Sequence, residues 1–333
     1  MGVAANRASG DMARHIGRFG ASLVWAVLAL IALAAGMQSP ALAQPSKPEA
    51  YGSAPTLLLS AGRPGVRVKV NRQGPFEFLI DTAASHTVVA PSLLQQLNLT
   101  PQTGTTVFAI TVQGRVETRY VPIASIITAG VQVKDLLGIS LELPGDLPVK
   151  GVLAADFLSN FMVDLDLRSQ ELRFYPPSAN LRPFRSGYVK GQFNEYGFIM
   201  LPAEVDGHRA TAFLDTGAQK SIANESLGRL LARRGVRIDE TVSLQLKGVQ
   251  GTRLATEGRE VRQIKLGPIR WNSREILVSE LPVFEQIGLG QTPALLIGID
   301  MLRSRRVILD YERARVAVEP LLDPETAAQR RRP

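Results

Sequence analysis

The sequence predicts an all-β chain folded as two homologous, β-barrel-like lobes with short helices and a cleft between them. Three observations predict it: an internal duplication, a two-residue alternation of apolar side chains, and turn residues closing the alternating runs. The duplication carries most weight. Phe76-Glu77-Phe78-Leu79-Ile80-Asp81-Thr82-Ala83-Ala84-Ser85 is matched by Ala212-Phe213-Leu214-Asp215-Thr216-Gly217-Ala218-Gln219. Residues 151–158 (GVLAADFL) match 295–302 (LLIGIDML), and 163–166 (VDLD) match 307–310 (VILD). Asp81 and Asp215 are 134 positions apart, whereas Asp156 and Asp300, like Asp166 and Asp310, are 144 apart. One ten-residue insertion in the second half accounts for the difference.

Each copy reads as β. Val66, Val68 and Val70 alternate with polar residues, Asn71-Arg72-Gln73-Gly74-Pro75 turns the chain, and Phe76, Phe78 and Ile80 resume the pattern. In the second copy Leu201, Ala203 and Val205 lead through the turn Asp206-Gly207 into Phe213 and Leu214. Helical patterns are short, at residues 92–97 and 226–234, and Pro176-Pro177-Ser178-Ala179-Asn180 has linker composition. The expected organisation is a leader at 1–43, a mature N-terminal segment at 44–65, lobe one at 66–185, lobe two at 186–320 and a basic tail at 321–333.

The leader has Arg7, Arg14 and Arg18 ahead of an uncharged apolar run from 20 to 36, then Ala41-Leu42-Ala43, a small-x-small cleavage pattern before Gln44. This predicts export with cleavage; the alternative is an uncleaved anchor with transient membrane association, since the run is nearly long enough to span a bilayer. The chain has no cysteine, which excludes disulfides and a thiol-linked lipid, and an exported disulfide-free protein fits a bacterial periplasm or secretion from such a cell. Net charge is +8; removing residues 1–43, with three Arg and one Asp, leaves +6. The excess gathers at Arg303, Arg305 and Arg306 and at Arg330-Arg331-Arg332 without interleaved aromatics, so it is expected to be solvated basic surface with some preference for acidic partners or lipid head groups, not a nucleic-acid site. His15, His86 and His208 are the only histidines and are scattered, which leaves neither a metal cluster nor a serine triad.

An apolar strand ending in Asp-Thr-small-Ala delivers a carboxylate at a tight turn. Two such turns related by a pseudo-two-fold axis would bring Asp81 and Asp215 side by side, sharing one proton because two adjacent like charges cannot both ionise easily. The ionised member would act as general base on water and the protonated one would donate to a carbonyl, with neither role fixed to either residue. Thr82 and Thr216 offer hydroxyls to bond across to the opposite turn. Gly217 permits a backbone conformation and a close approach that larger side chains resist; Ala83 and Ala154, standing opposite Gly217 and Gly298, each add a methyl and disfavour positive φ. Both lapses fall in lobe one, a tolerated variant or a decaying half-site. This route requires no metal, cofactor or covalent nucleophile.

On these residues the chain resembles the retropepsin-like and pepsin-like aspartic proteases, and within them bacterial single-chain members with two Asp-Thr-Gly-type motifs behind an export signal. The motifs are 212–218, its variant at 76–85 and the apolar-apolar-Gly run at 295–298, and the resemblance spans approximately 66–318. It implies the bilobal acid-protease fold, endopeptidase activity on a peptide or protein substrate bound between the lobes, and β-hairpin flaps. The flap candidates are 110–116, with Gln113 and Gly114, and 247–251, with Gly248 and Gly251. Both motifs lie on one chain, so a monomer is expected to build the site. The rivals are a catalytically inactive peptide-binding or scaffold module and a processing enzyme that needs a partner protein.

The remaining recurring residues have plainer readings. Asp156 and Asp300 are expected to cap the short helices near them, and Asp166 and Asp310 to be turn or surface carboxylates. Ser85 and Ser221 either support the active turns, as in the resembling family, or bond local backbone. His86 lies near Asp81 in sequence, where it would tune the site, or else faces solvent.

Overall fold

The computed structural model describes residues 48–104, 106–111, 114–184, 186–232, 238–239, 246–247, 253–254 and 256–320; the leader and the tail 321–333 lie outside the described residues. The valine alternation becomes the strand Pro64–Val70, which buries Val66, Val68 and Val70 and exposes Arg67 and Lys69. Only Asn71 and Arg72 make the turn. Both have positive φ, 49° and 68°, the handedness that matches a tight hairpin to strand twist. Gln73, Gly74 and Pro75, expected in the turn, already belong to the next strand, Gln73–Ile80. The second copy turns at Asp206-Gly207 in the same way, with φ of 47° and 85°, between Ile199–Val205 and His208–Leu214.

Each lobe closes a six-stranded barrel. In lobe one the order is Pro64–Val70, Gln73–Ile80, Gly151–Leu153, Val88–Val89, Val131–Ser140 and Tyr120–Thr128, which returns to the first through Lys69↔Ile127. Lobe two repeats it with Ile199–Val205, His208–Leu214, Ala294–Ile297, Ile222–Ala223, Ile269–Val278 and Glu257–Leu266, closing through Ala203↔Leu266. Closure removes edges that would otherwise pair with other chains.

Equivalent pairs resolve the insertion. Val88 pairs with Ile139 as Ile222 pairs with Leu277, and Val152 pairs with Leu79 as Leu296 pairs with Phe213. The offset is therefore 134 from Val88 to Ile222, 138 from Ile139 to Leu277 and 144 from Val152 to Leu296. The expected single insertion of ten is four residues before the long hairpin and six after it. The second piece accompanies a helix of lobe two, Pro282–Gln286.

The helices expected at 92–97 and 226–234 appear as Pro91–Leu97 and Glu225–Ala232. Pro91 suits the first helical position, where its missing N–H costs nothing, and Asn98 ends that helix in the left-handed conformation. Asn224 caps the second by accepting the Leu227 N–H at 3.0 Å.

A third sheet joins the lobes. Its order is Gly52–Pro55, Glu171–Tyr175, Met162–Asp166, Arg306–Asp310, Arg315–Val318 and Val189–Lys190, so the first half supplies three strands and the second half three. The central pairing is antiparallel, Met162↔Asp310 through Asp166↔Arg306. One apolar cluster runs from Val66 in the first barrel through Val163 and Leu309 in this seam to Leu266 in the second.

Candidate active site

Each motif turn is held at both ends by its later partner segment. Gly151–Leu153 lies parallel to the end of Gln73–Ile80, and the Asp81 N–H donates to Leu153 O at 3.0 Å; Ala155 N then donates to Ala84 O at 2.9 Å. In lobe two, Asp215 N donates to Ile297 O and Ile299 N to Ala218 O, both at 2.9 Å. The paired aspartates thus sit where apolar strands end and backbone ladders stop.

The two turns are also braced against each other. Thr82 Oγ1 donates to Leu214 O and Thr216 Oγ1 to Ile80 O, each at 2.7 Å, while each hydroxyl accepts the opposite threonine's N–H at 3.2 Å. All four groups are buried, so the brace satisfies backbone atoms that have no water to turn to.

The structure brings Asp81 and Asp215 together. A Cβ placed on Gly217 would fall 2.4 Å from Asp81 Oδ2 and 3.2 Å from Asp215 Oδ1, so these oxygens lie within 5.6 Å of each other, the sum of the two distances. Asp215 Oδ1 accepts Gly217 and Ala218 N–H at 2.9 Å, and Asp81 Oδ1 accepts Ala83 N–H at 2.8 Å. Burial pushes the Asp215 carboxyl well above the usual range, and the Asp81 charge pushes it further; the two N–H groups and Arg63 oppose this. Asp81 is raised too, by burial, against its turn N–H groups and Arg63. Asp215 is buried and Asp81 half-buried.

Of the two reasons expected for glycine, close approach holds and a special backbone conformation does not. Gly217 is not at positive φ, Gly298 has φ −87°, and Ala154 has φ −115°. Space decides instead: a Cβ on Gly298 would lie 2.5 Å from Lys220 O. Ala154 carries its methyl fully buried, and Ala83 packs with Ala218 against the lobe-two cluster of Phe198, Phe213 and Ile222.

Asp156 and Asp300 do not cap the helices Ala155–Leu158 and Ile299–Leu302, whose N-cap positions are Ala154 and Gly298. They lie inside the first turn and tie it to the strand after each motif. Asp156 accepts Thr87 N–H at 2.8 Å and Thr87 Oγ1–H at 2.7 Å; Asp300 accepts Ser221 N–H at 3.1 Å and Ser221 Oγ–H at 2.7 Å. Ser221, whose oxygen also takes the Gly298 N–H at 3.0 Å, is therefore the counterpart of Thr87. Ser85 instead bonds His86 Nδ1 at 2.9 Å. His86 is half-buried beside Tyr120, and its effect falls on Asp156, not Asp81. Asp166 and Asp310 are turn carboxylates as expected but are buried, not surface.

The lobe-one flap candidate is a hairpin, Val107–Thr111 with Gly114–Thr118; Gly114 pairs with Thr111, and Gln113 lies outside the described residues. In lobe two, Leu246–Lys247 pairs with Arg253–Leu254, and Gly248 and Gly251 lie outside the described residues.

Two groups escaped the sequence reading. Arg63, buried, donates to Ser60 O and Oγ and to Asp146 Oδ2 at 3.0 Å, and Gln219 of the opposite motif reaches the same Asp146 oxygen at 3.2 Å. Its cation is the one the site's two carboxyls share. The available signal was asymmetry, since Gly197 stands 134 positions on, where the second copy would carry an arginine. Tyr311 is buried with its phenol held well above the ordinary range by burial and by Asp81. Among the described residues no three His, Asp or Glu side chains are grouped to hold a metal ion. A family model described as aspartyl protease matches this chain twice, over residues 66–157 and 201–301.

Proposed function

Because this chain belongs to the aspartyl protease family, we propose that it is an exported endopeptidase that hydrolyses peptide bonds with water activated by Asp81 and Asp215. The observation that carries the reading is the pair of carboxylates in mirrored turns locked by the Thr82 and Thr216 hydroxyls. The resting proton belongs to the pair, both of whose carboxyls are raised by burial. The ionised member takes a proton from water as the water oxygen attacks the carbonyl carbon, and the protonated member donates to the carbonyl oxygen. The tetrahedral intermediate then collapses, the C–N bond breaks and the amine leaves with a proton from the pair. An extended peptide lies in the cleft beneath the two hairpins. Ala83 and Ala154, both without positive φ, support a competent lobe one over a decayed one.

The test is cleavage of a peptide library by the purified protein from acidic to neutral pH, alongside Asp215→Asn. Cleavage by the wild type and none by the variant is expected. Folded wild-type protein that cleaves nothing, even with candidate partner proteins added, would leave a peptide-binding module. We assign export to residues 1–43; no helix among the described residues is long and apolar enough to cross a membrane. Mass spectrometry of the cell-derived protein should find Gln44 as its first residue, and light scattering should find a monomer.

A further inference from the structure

The arginines at 303–306 do not form one solvated patch. Arg306 is neutralised, its Nε and Nη2 donating to buried Asp164 at 2.7 and 2.6 Å. Arg303 and Arg305 turn away and, with Arg274, line a cavity of about 280 Å³ together with Asp300, Met301 and Ser304. Among the described residues no carboxylate lies within ion-pair distance of Arg274, Arg303 or Arg305. Asp300 also lines the cavity, but its carboxylate is tied to Ser221 and, among the described residues, forms no ion pair with any of the three. Glu319 does not either: it gives its carboxylate to Arg168 at 2.9 Å and only its backbone oxygen to Arg305 Nη1.

Arg305 is built in. Its residue is 3% exposed, and its guanidinium lies 4.8 Å from the centre of the buried Trp271 ring, whose Nε1–H is fixed to Met301 O at 3.1 Å. Burial, then the neighbouring Arg274 cation, brings its pKa down to about 10. A guanidinium ordered beforehand and pressed by a second cation gains from an anion without the entropy cost of being immobilised.

We propose that this cavity, on the lobe-two face formed by Ile269–Val278 and the turn after Ile299–Leu302, binds a phosphate-type oxyanion. Three guanidiniums present the forked donors that suit phosphate oxygens. At roughly 30 Å³ per water, the cavity has room for a phosphate and part of the group it esterifies. Solution phosphate esters and lipid phosphate head groups share this chemistry.

Isothermal titration with inorganic pyrophosphate, at ionic strength matched by chloride, tests the proposal on the full chain. Saturable binding is expected, weakened about tenfold or more by Arg274→Ser with Arg303→Ser, one half-buried and one exposed position whose loss leaves Trp271 and Arg305 in place. No binding above the chloride control, or equal binding by the double variant, would overturn it. Sedimentation with phosphatidylcholine vesicles, with and without phosphatidic acid, separates the sources. Acid-lipid binding that the double variant loses identifies a lipid head group, whereas pyrophosphate binding without it identifies a soluble phosphate.

Discussion

A methyl group on Gly217 would lie 2.4 Å from Asp81 Oδ2 and 2.7 Å from its Cγ, closer than real Cβ atoms approach. Gly217→Ala should therefore displace the Asp81 carboxylate and lower kcat/KM by about a hundredfold, the loss attached to ångström-scale misplacement of a reacting group. Ala83→Gly removes only a half-buried methyl and should retain activity while lowering stability by under about 1 kcal/mol; urea melts and kcat/KM together check the pair. Titration gives a second expectation. Asp215 has a folded pKa well above 3.8, so its contribution to stability is fully present below 3.8 and is lost as pH rises through the folded value. Asp215→Asn, which never ionises, should be inactive yet more stable than wild type at neutral pH, with the advantage shrinking towards pH 3.8; urea midpoints across pH report it. Arg63 holds both carboxyls down, so Arg63→Gln should move the acidic limb of the kcat/KM profile to higher pH. Asp81, Thr82, Asp215 and Thr216 were legible because an apolar strand running into a polar turn is written in adjacent residues. Arg63 was not, because its partner Asp146 is 83 positions away, the Gln219 that shares this carboxylate is 73 positions further on, and a lone arginine before a proline has no local signature.

At the scale of elements, the motif turns depend on their braces. Thr216→Val removes the donor to Ile80 O and the acceptor of Thr82 N–H, leaving two buried backbone groups unpaired. At about 1–3 kcal/mol for each orphaned group, the lower half of that range is expected because the turns can relax, giving a loss of about 2–4 kcal/mol together with reduced kcat. Thr216→Ser, which keeps the hydroxyl, should restore most of both in the same denaturation and rate assays. Hairpins and short helices were legible from alternation, from the turn residues at 71–75 and 206–207, and from the short helical patterns at 92–97 and 226–234. The roles of Asp156 and Asp300 were not: a carboxylate in a first helical turn looks like a cap in sequence, and only the fold reveals Thr87 and Ser221, 69 and 79 residues earlier, as its partners. The split of the insertion was hidden for a similar reason, since offsets of 134 before it and 144 after it give only the total and not where residues were added between them.

For the whole molecule, the seam sheet is where the halves become one cooperative unit. Asp164, fully buried in it, takes Arg306 in two hydrogen bonds and Arg173 at 3.5 Å. Arg306→Met would leave that carboxylate largely uncompensated and should cost about 3 kcal/mol, the low end for a broken buried pair because the arginine itself is partly exposed. Trp271 fluorescence and far-UV circular dichroism should still fall in one transition at the reduced urea midpoint. The two-lobe plan was legible from the duplication, but the seam was not, since repeats announce their own cores and not the sheet they share. That seam also imposes an order of events on a growing chain. Met162–Asp166 is made about 140 residues before its partner Arg306–Asp310, so one side of a nascent strand waits without a neighbour. An inward-pointing charge is the device by which waiting strands refuse foreign ones, and Asp164 supplies it. The same aspartate thus guards the half-made protein and, once Arg306 arrives, admits the one strand that can neutralise it.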